Sequence, residues 1–150
     1  MTLEIFTDGA CSGNPGPAAI GVVVRQQGET VKEISHFIGQ ATNNIAEYTA
    51  LIWGLQEALM LKADRVLVKT DSEWMYKQVI GQYKVKHVGI KPLFEQVGHL
   101  VKGFKRVEFK YVPRQQNSQA DKLARGALKT SQDDRSDVND VGKESPSSRG

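Results

Sequence analysis

The side chains in this sequence whose type and placement could do chemistry are four carboxylates: Asp8, Glu47, Asp71 and Asp121. The chain has one cysteine, Cys11, and three histidines, with no Cys-x-x-Cys pair and no histidine-rich cluster, so a thiolate zinc site is excluded and a bound metal would be held by oxygen. Such donors suit Mg²⁺ or Mn²⁺ rather than zinc or copper. Two such ions about 4 Å apart would activate a water and stabilise the leaving oxygen of an in-line phosphodiester displacement. Three of these acids also have an ordinary reading. Asp8-Gly9 is a turn dipeptide, Asp71 could cap a helix starting at Ser72 for about 1 kcal/mol, and Asp121 sits in a helix first turn, where the dipole favours an acid. Glu47 resists one. Its helical stripe carries Leu51, Gly54 and Ala58, so the acid points at the sheet. Up to about 1 kcal/mol from a helix N-terminus is small beside the several kcal/mol of burying an unpaired carboxylate. Something positive is expected opposite it.

The elements that would position these acids follow from periodicity. Leu3, Ile5 and Thr7 alternate with Glu4, Phe6 and Asp8, a strand pattern from about residue 2 that ends in Asp8. Three glycines and two prolines in residues 9–17 then exclude helix. Strands are expected at 19–25 and 30–39, joined by a Gln-Gln-Gly-Glu turn and completing an antiparallel meander. A long helix is expected at 43–61, a strand at 65–70, helices at 72–82 and 90–103, a strand at 106–112 and a last helix at 118–129. A right-handed crossover through the long helix places the fourth strand parallel to the first and beside it. Asp8 and Asp71 then emerge side by side at the carboxyl ends of two central strands, where an open α/β sheet forms its crevice. Like charges there need a cation or a shared proton.

At 150 residues and 39% hydrophobic content, one domain with a real core is expected over 1–129. No apolar run approaches the roughly 18 residues of a membrane span, and Met1 leads directly into a strand, so the expectation is a cytoplasmic protein with no membrane association. Net charge is +3 but uneven. Residues 131–150 hold five acids and three bases, leaving +5 for the rest. Between Lys77 and Arg114 there are nine bases against Glu95 and Glu108, an excess that favours a polyanionic partner. Residues 130–150 are polar, acidic and without periodicity, and read as a disordered tail.

Thr7-Asp8-Gly9 with Gly13-Asn14-Pro15-Gly16, Thr42-Asn43-Asn44-Ile45-Ala46-Glu47, Thr70-Asp71-Ser72, and Val112-Pro113-Arg114 with Asn117 and Ala120-Asp121-Lys122-Leu123-Ala124 together resemble type 1 ribonuclease H, in order and with family-like spacing over about residues 1 to 129. The resemblance implies a ribonuclease H-like α/β fold, a five-stranded mixed sheet (a three-stranded antiparallel meander plus two parallel strands) flanked by helices. It implies an endoribonuclease that cuts the RNA strand of RNA–DNA hybrids with two Mg²⁺, Mn²⁺ able to substitute, leaving 3′-hydroxyl and 5′-phosphate ends. Asp8, Glu47, Asp71 and Asp121 match its metal-binding acids, and Cys11, Asn14, Asn43, Asn44 and Gln78 lie where the family contacts hybrid. The 2′-hydroxyl is what physically separates RNA from DNA.

The chain departs from the family twice. Many members carry a histidine on the loop before the last acid; here Arg114-Gln115-Gln116-Asn117 stands there, and Arg114 can reach phosphate but cannot shuttle a proton near neutral pH. His36, His87 and His99 read as structural or solvated. The stretch from Tyr83 to Gly89 is too short for the extra basic helix some members use to hold hybrid, with Lys84 and Lys86 as its partial replacement and Trp74 as either core or a stacking platform. The reading is a monomer with no evident protein partner. The rivals are a non-catalytic hybrid- or RNA-binding module and a nuclease of the same fold acting on other duplexes.

Overall fold

The computed structural model describes the backbone of residues 1–141 and the side chains of residues 1–131. In chain order the elements are β1 (Thr2–Cys11), β2 (Gly16–Gln26), β3 (Glu29–Ala41), α1 (Asn43–Met60), β4 (Arg65–Thr70), α2 (Glu73–Val79), α3 (Lys91–Val101), β5 (Arg106–Tyr111), a short 3-10 turn (Arg114–Asn117) and α4 (Ser118–Val141). The strands form one sheet in the order β3-β2-β1-β4-β5. β1 to β3 are antiparallel, and β4 and β5 run parallel to β1, as the crossover rule requires. Among the described residues no helix is long and apolar enough to cross a membrane.

The alternation in β1 sorts its side chains between two layers. Leu3 and Ile5 join Val22, Val66 and Val68 under Leu51, Leu55 and Ala58 of α1 and Val97 of α3. Phe6 packs on the other face with Val23 and with Ala120 and Leu123 of α4. A sheet covered on both faces explains why Val22, Val23 and Val24 are all buried, where strict alternation would leave one exposed.

β1 does not end at Asp8, as its composition suggested. It continues paired with β2 as far as Cys11↔Ala18, because the glycines and prolines that read as turn from residue 9 onward close a hairpin that begins only at Ser12. Its pairing with β4 does stop, at Thr7↔Thr70. Asp8 is therefore the first residue past the parallel pair, with an open flank where β4 has ended. α2 is shorter than expected, and Gly81 at φ +85° follows it. α4 runs on to Val141, past the expected end near residue 129, so residues 130–141 are helical where a disordered tail was expected; no glycine or proline interrupts the sequence between Gly126 and Gly142. Residues 142–150 of the expected tail lie outside the described residues.

Two glycines bring the helices close enough to deliver their acids. A Cβ on Gly21, the β2 partner of Asp8, would lie 2.0 Å from the Ala120 carbonyl oxygen and 2.7 Å from the Ala124 nitrogen of α4. A Cβ on Gly9 would lie 2.6 to 2.7 Å from the backbone of Ala46 and Glu47. Both contacts are with backbone, which cannot yield as a side chain can. Gly21→Ala is expected to cost about 1–3 kcal/mol or more through overpacking, whereas Gly98→Ala on α3, with nothing within 4 Å, should be neutral or stabilising by about 1 kcal/mol. Urea denaturation of the two variants measures the difference, and equal stabilities would contradict the packing described.

Candidate active site

Asp8 follows the last residue of β1 that pairs with β4, Asp71 follows the last residue of β4, and Glu47 hangs from α1 over the flank β4 vacates. One carboxylate oxygen from each lies within 4.8 Å of the others. The Gly9 N–H, with no β4 residue opposite, donates to Glu47 Oε1 at 3.1 Å. The start of α1 is locked twice: Thr42 Oγ1 accepts the Ile45 N–H at 3.2 Å, and Asn14 Oδ1 in the β1–β2 turn accepts the Asn43 N–H at 2.9 Å. Ser72, not Asp71, caps α2, accepting the Met75 N–H at 3.3 Å, while Thr70 Oγ1 accepts the Ser72 N–H at 3.0 Å. The capping alternative for Asp71 is thereby removed. Glu47 likewise lies beyond the first turn of α1, which holds no acid.

Asp121 is placed differently from the other three. It stands close enough to raise the pKa of Asp8, yet it lies outside the cluster of three and is bound by Arg125 one helical turn on. Arg114, largely exposed, brings its Nε to 3.9 Å from Asp71 Oδ2. Asp8 and Glu47 have no ion-pair partner among the described residues. Burial, then the negative charges of Glu47, Asp71 and Asp121, push the Asp8 carboxyl up to about 9. Burial, then Asp71, push Glu47 up to about 8, against partial relief from the Gly9 N–H, a hydrogen bond with Asp8, and Arg114. An oxygen-only set of converging carboxylates with two members held so far above the usual range fits a hard divalent cation. Asp8, Glu47 and Asp71 would hold it.

The remaining sequence-derived residues fall into two groups. Asn14, Asn43, Asn44, Gln78, Lys84 and Lys86 line one groove of about 1070 Å³. Gln78 is buried in its wall, its Oε1 accepting the Tyr48 hydroxyl at 2.7 Å. Cys11 lies outside that groove, its thiol half-buried and turned to the carbonyls of Gly13, Gly16 and Ala41, which ties the hairpin turn to the end of β3. No helix forms between α2 and α3, in keeping with the short connection.

Sequence reasoning left Trp74 undecided and missed its partners. Trp74 is exposed on the groove, edge-on to Tyr83 at 5.6 Å, and Lys77 Nζ sits 5.2 Å over the Tyr83 ring. Met75 and Gln78 are the buried side of α2, so Trp74 sits one position off that stripe, a signal available in the sequence. Asn117 is buried, and its Nδ2 donates to the Thr7 carbonyl at 2.9 Å, anchoring the segment before α4 to β1 beside Asp8. Of the histidines, His36 stacks on Trp53 at 4.7 Å and His87 Nδ1 accepts the Gly89 N–H at 3.0 Å.

Fold and site together define an α/β protein with a carboxylate centre for a divalent metal at the carboxyl ends of its central parallel strands. A family described as "Reverse transcriptase-like" matches residues 6–127. RNase H1 from the archaeon Halobacterium salinarum superposes with a TM-score of 0.84 at 37% identity, over 87% of this chain and 99% of that one. LC11-RNase H1, solved in complex with RNA/DNA hybrid, gives a TM-score of 0.81 at 39% identity over 86% and 98%. The chain belongs to the ribonuclease H family. It is also 41% identical, over 130 residues and 85% of its length, to the Bifunctional protein Rv2228c of Mycobacterium tuberculosis, of which it spans 36%.

The raised carboxyls predict how metal-free stability varies with pH. Folded Asp8 and Glu47 keep protons that the unfolded chain sheds above its ordinary values of 3.8 and 4.5, so folding takes up protons between there and about 8 to 9. Their contribution is fully present below pH 4 or so and is lost as pH rises through that window. In the presence of chelator the melting temperature should fall from pH 5 to pH 9, and fall less in Asp8→Asn. Added Mg²⁺ should raise it more at pH 9 than at pH 5. A wild-type profile no steeper than that of Asp8→Asn would contradict this.

Proposed function

We propose that this chain is an endoribonuclease that hydrolyses the RNA strand of RNA–DNA hybrids with two Mg²⁺, Mn²⁺ able to substitute, leaving 3′-hydroxyl and 5′-phosphate ends. The convergence of Asp8, Glu47 and Asp71 within 4.8 Å carries the reading. A relative at 39% identity solved with hybrid bound supports the substrate. The metal, when bound, supplies an activated water and stabilises the charge on the phosphate and the leaving oxygen. Asp8, Glu47 and Asp71 hold it, fixed by the Gly9 N–H, by Asn117 and by the two helix caps. Asp121 completes the set from the edge of the cluster by releasing Arg125. Arg114, exposed beside Asp71, takes a phosphate oxygen of the substrate.

Asn14, Asn43, Asn44 and Gln78 line the groove wall that receives the hybrid, with Lys84 and Lys86 for its phosphates. Cys11 acts through the turn it anchors. With three lysines about this groove and no basic helix, affinity is expected to fall steeply with salt. The protein acts as a monomer in the cytoplasm.

Hybrid, duplex DNA and duplex RNA of one sequence, incubated side by side with Mg²⁺ or Mn²⁺, test the reading. Hybrid alone should be cut, in its RNA strand. Asp8→Asn, Glu47→Gln and Asp71→Asn should each lower the rate by about a hundredfold or more while leaving the circular dichroism spectrum unchanged. Binding without cleavage would favour a non-catalytic module, and cleavage of duplex DNA or RNA a nuclease of other specificity.

A further inference from the structure

The basic excess between Lys77 and Arg114 is not one surface. Lys84 and Lys86 line the groove at the carboxylate end, with Lys77 over Tyr83 at its rim, and Arg114 stands beside Asp71. Lys102, Lys105 and Arg106 lie at the opposite end of the sheet, where β4 and β5 begin. There the Asp64 carbonyl accepts the Lys105 N–H at 2.8 Å and the Arg106 N–H at 3.4 Å, stitching the loop that carries Lys62 and Arg65 to the loop that carries Lys102 and Lys105. The end of α3 is seated on α1, with the Cβ position of Gly103 2.7 Å from Leu59 Cδ2. Five cations thus share one face, all exposed.

Local acids do not balance them. Asp64 is bound by the terminal amine at 2.6 Å, and that amine, then Lys105 and Arg65, hold its carboxyl below the usual range. Glu108 is bound to Arg106 at 2.7 Å. Lys62, Arg65, Lys102 and Lys105 have no ion-pair partner among the described residues. Arg65 and Arg106 are moreover direct partners in the β4–β5 register, where like charges repel.

We propose that this face binds the phosphate backbone of a second nucleic-acid segment, distinct from the one held at the carboxylates. The six residues of β4 separate the two ends by about 20 Å, roughly the width of a duplex, so a straight hybrid on the carboxylates cannot also cover the basic face. A flexible single strand running off that hybrid can. Lysines and arginines on mobile stems with no aromatic partner suit sequence-independent phosphate contact rather than base readout. The face works as a tether, raising affinity for hybrids flanked by single strand without touching the reacting atoms.

The test is equilibrium binding in chelator, where nothing is cut, so it is independent of the activity proposed above. The probes are a hybrid of about 12 base pairs with and without a single-stranded DNA extension of about 30 nucleotides. The extension should strengthen wild-type binding by about tenfold at low salt. The combined variant Lys62→Gln, Arg65→Gln, Lys102→Gln, Lys105→Gln should lose that gain, bind the bare hybrid within about twofold of wild type, and show a log–log salt slope on the extended probe shallower by about 3. An extension gain that survives in the variant overturns the proposal; so does an equal loss on both probes. A wild type that gains nothing from the extension overturns it too, and is the result expected if the acidic stretch 131–150 competed for the face. A melting temperature equal to wild type shows the variant is folded, as expected for four exposed side chains, and the single variant Lys105→Gln, expected to lose part of the gain, repeats the test if it is not.

Discussion

Three carboxylates brought within 4.8 Å of one another, two of them with no cation of their own among the described residues, are the constraint on which the rest of this structure depends. Left alone, such a cluster opposes folding: burial and mutual repulsion act in the same direction on Asp8 and Glu47. The chain nevertheless secures each member. β4 stops one residue short of Asp8, so the Gly9 N–H is free to hold Glu47. Gly9 and Gly21 admit helix backbone where any side chain would stand. A packing arrangement that concentrates repulsion is accounted for by a divalent cation bound there.

The surrounding polar contacts serve the same geometry. Asn14 reaches from the hairpin turn to the start of α1, Thr42 and Ser72 cap the helices on either side of the acids, and Asn117 pins the approach to α4 onto β1. Arg125 on Asp121 and Arg114 near Asp71 neutralise the periphery and leave the centre negative. Cations at the rim and, among the described residues, none between Asp8 and Glu47 distinguish a metal centre from a network of structural ion pairs, in which each acid would have its own base.

Much of this was legible in the sequence. The alternation from Leu3 to Asp8 and the crossover rule placed β4 beside β1 and therefore Asp71 beside Asp8. The small residues on the Glu47 stripe showed that α1 turns its acid to the sheet. What escaped was long-range pairing. The composition from residue 9 onward reads as turn, yet β2 carries β1 on to Cys11 because hairpin register is a property of two strands, not one. The cap of α2 depends on which of two adjacent residues turns its side chain back, and the backbone decides for Ser72. Where the basic excess would lie escaped because nearness in sequence hides that α3 carries the chain from one end of the sheet to the other. The length of α4 escaped because a polar sequence with no apolar repeat gives no periodic signal.

The most direct measurement of the central claim is X-ray diffraction from crystals soaked in Mn²⁺, with anomalous data collected. The account predicts an anomalous peak bounded by the carboxylates of Asp8, Glu47 and Asp71, and none in Asp8→Asn crystals treated alike. Well-ordered carboxylates with no anomalous density between them would contradict it.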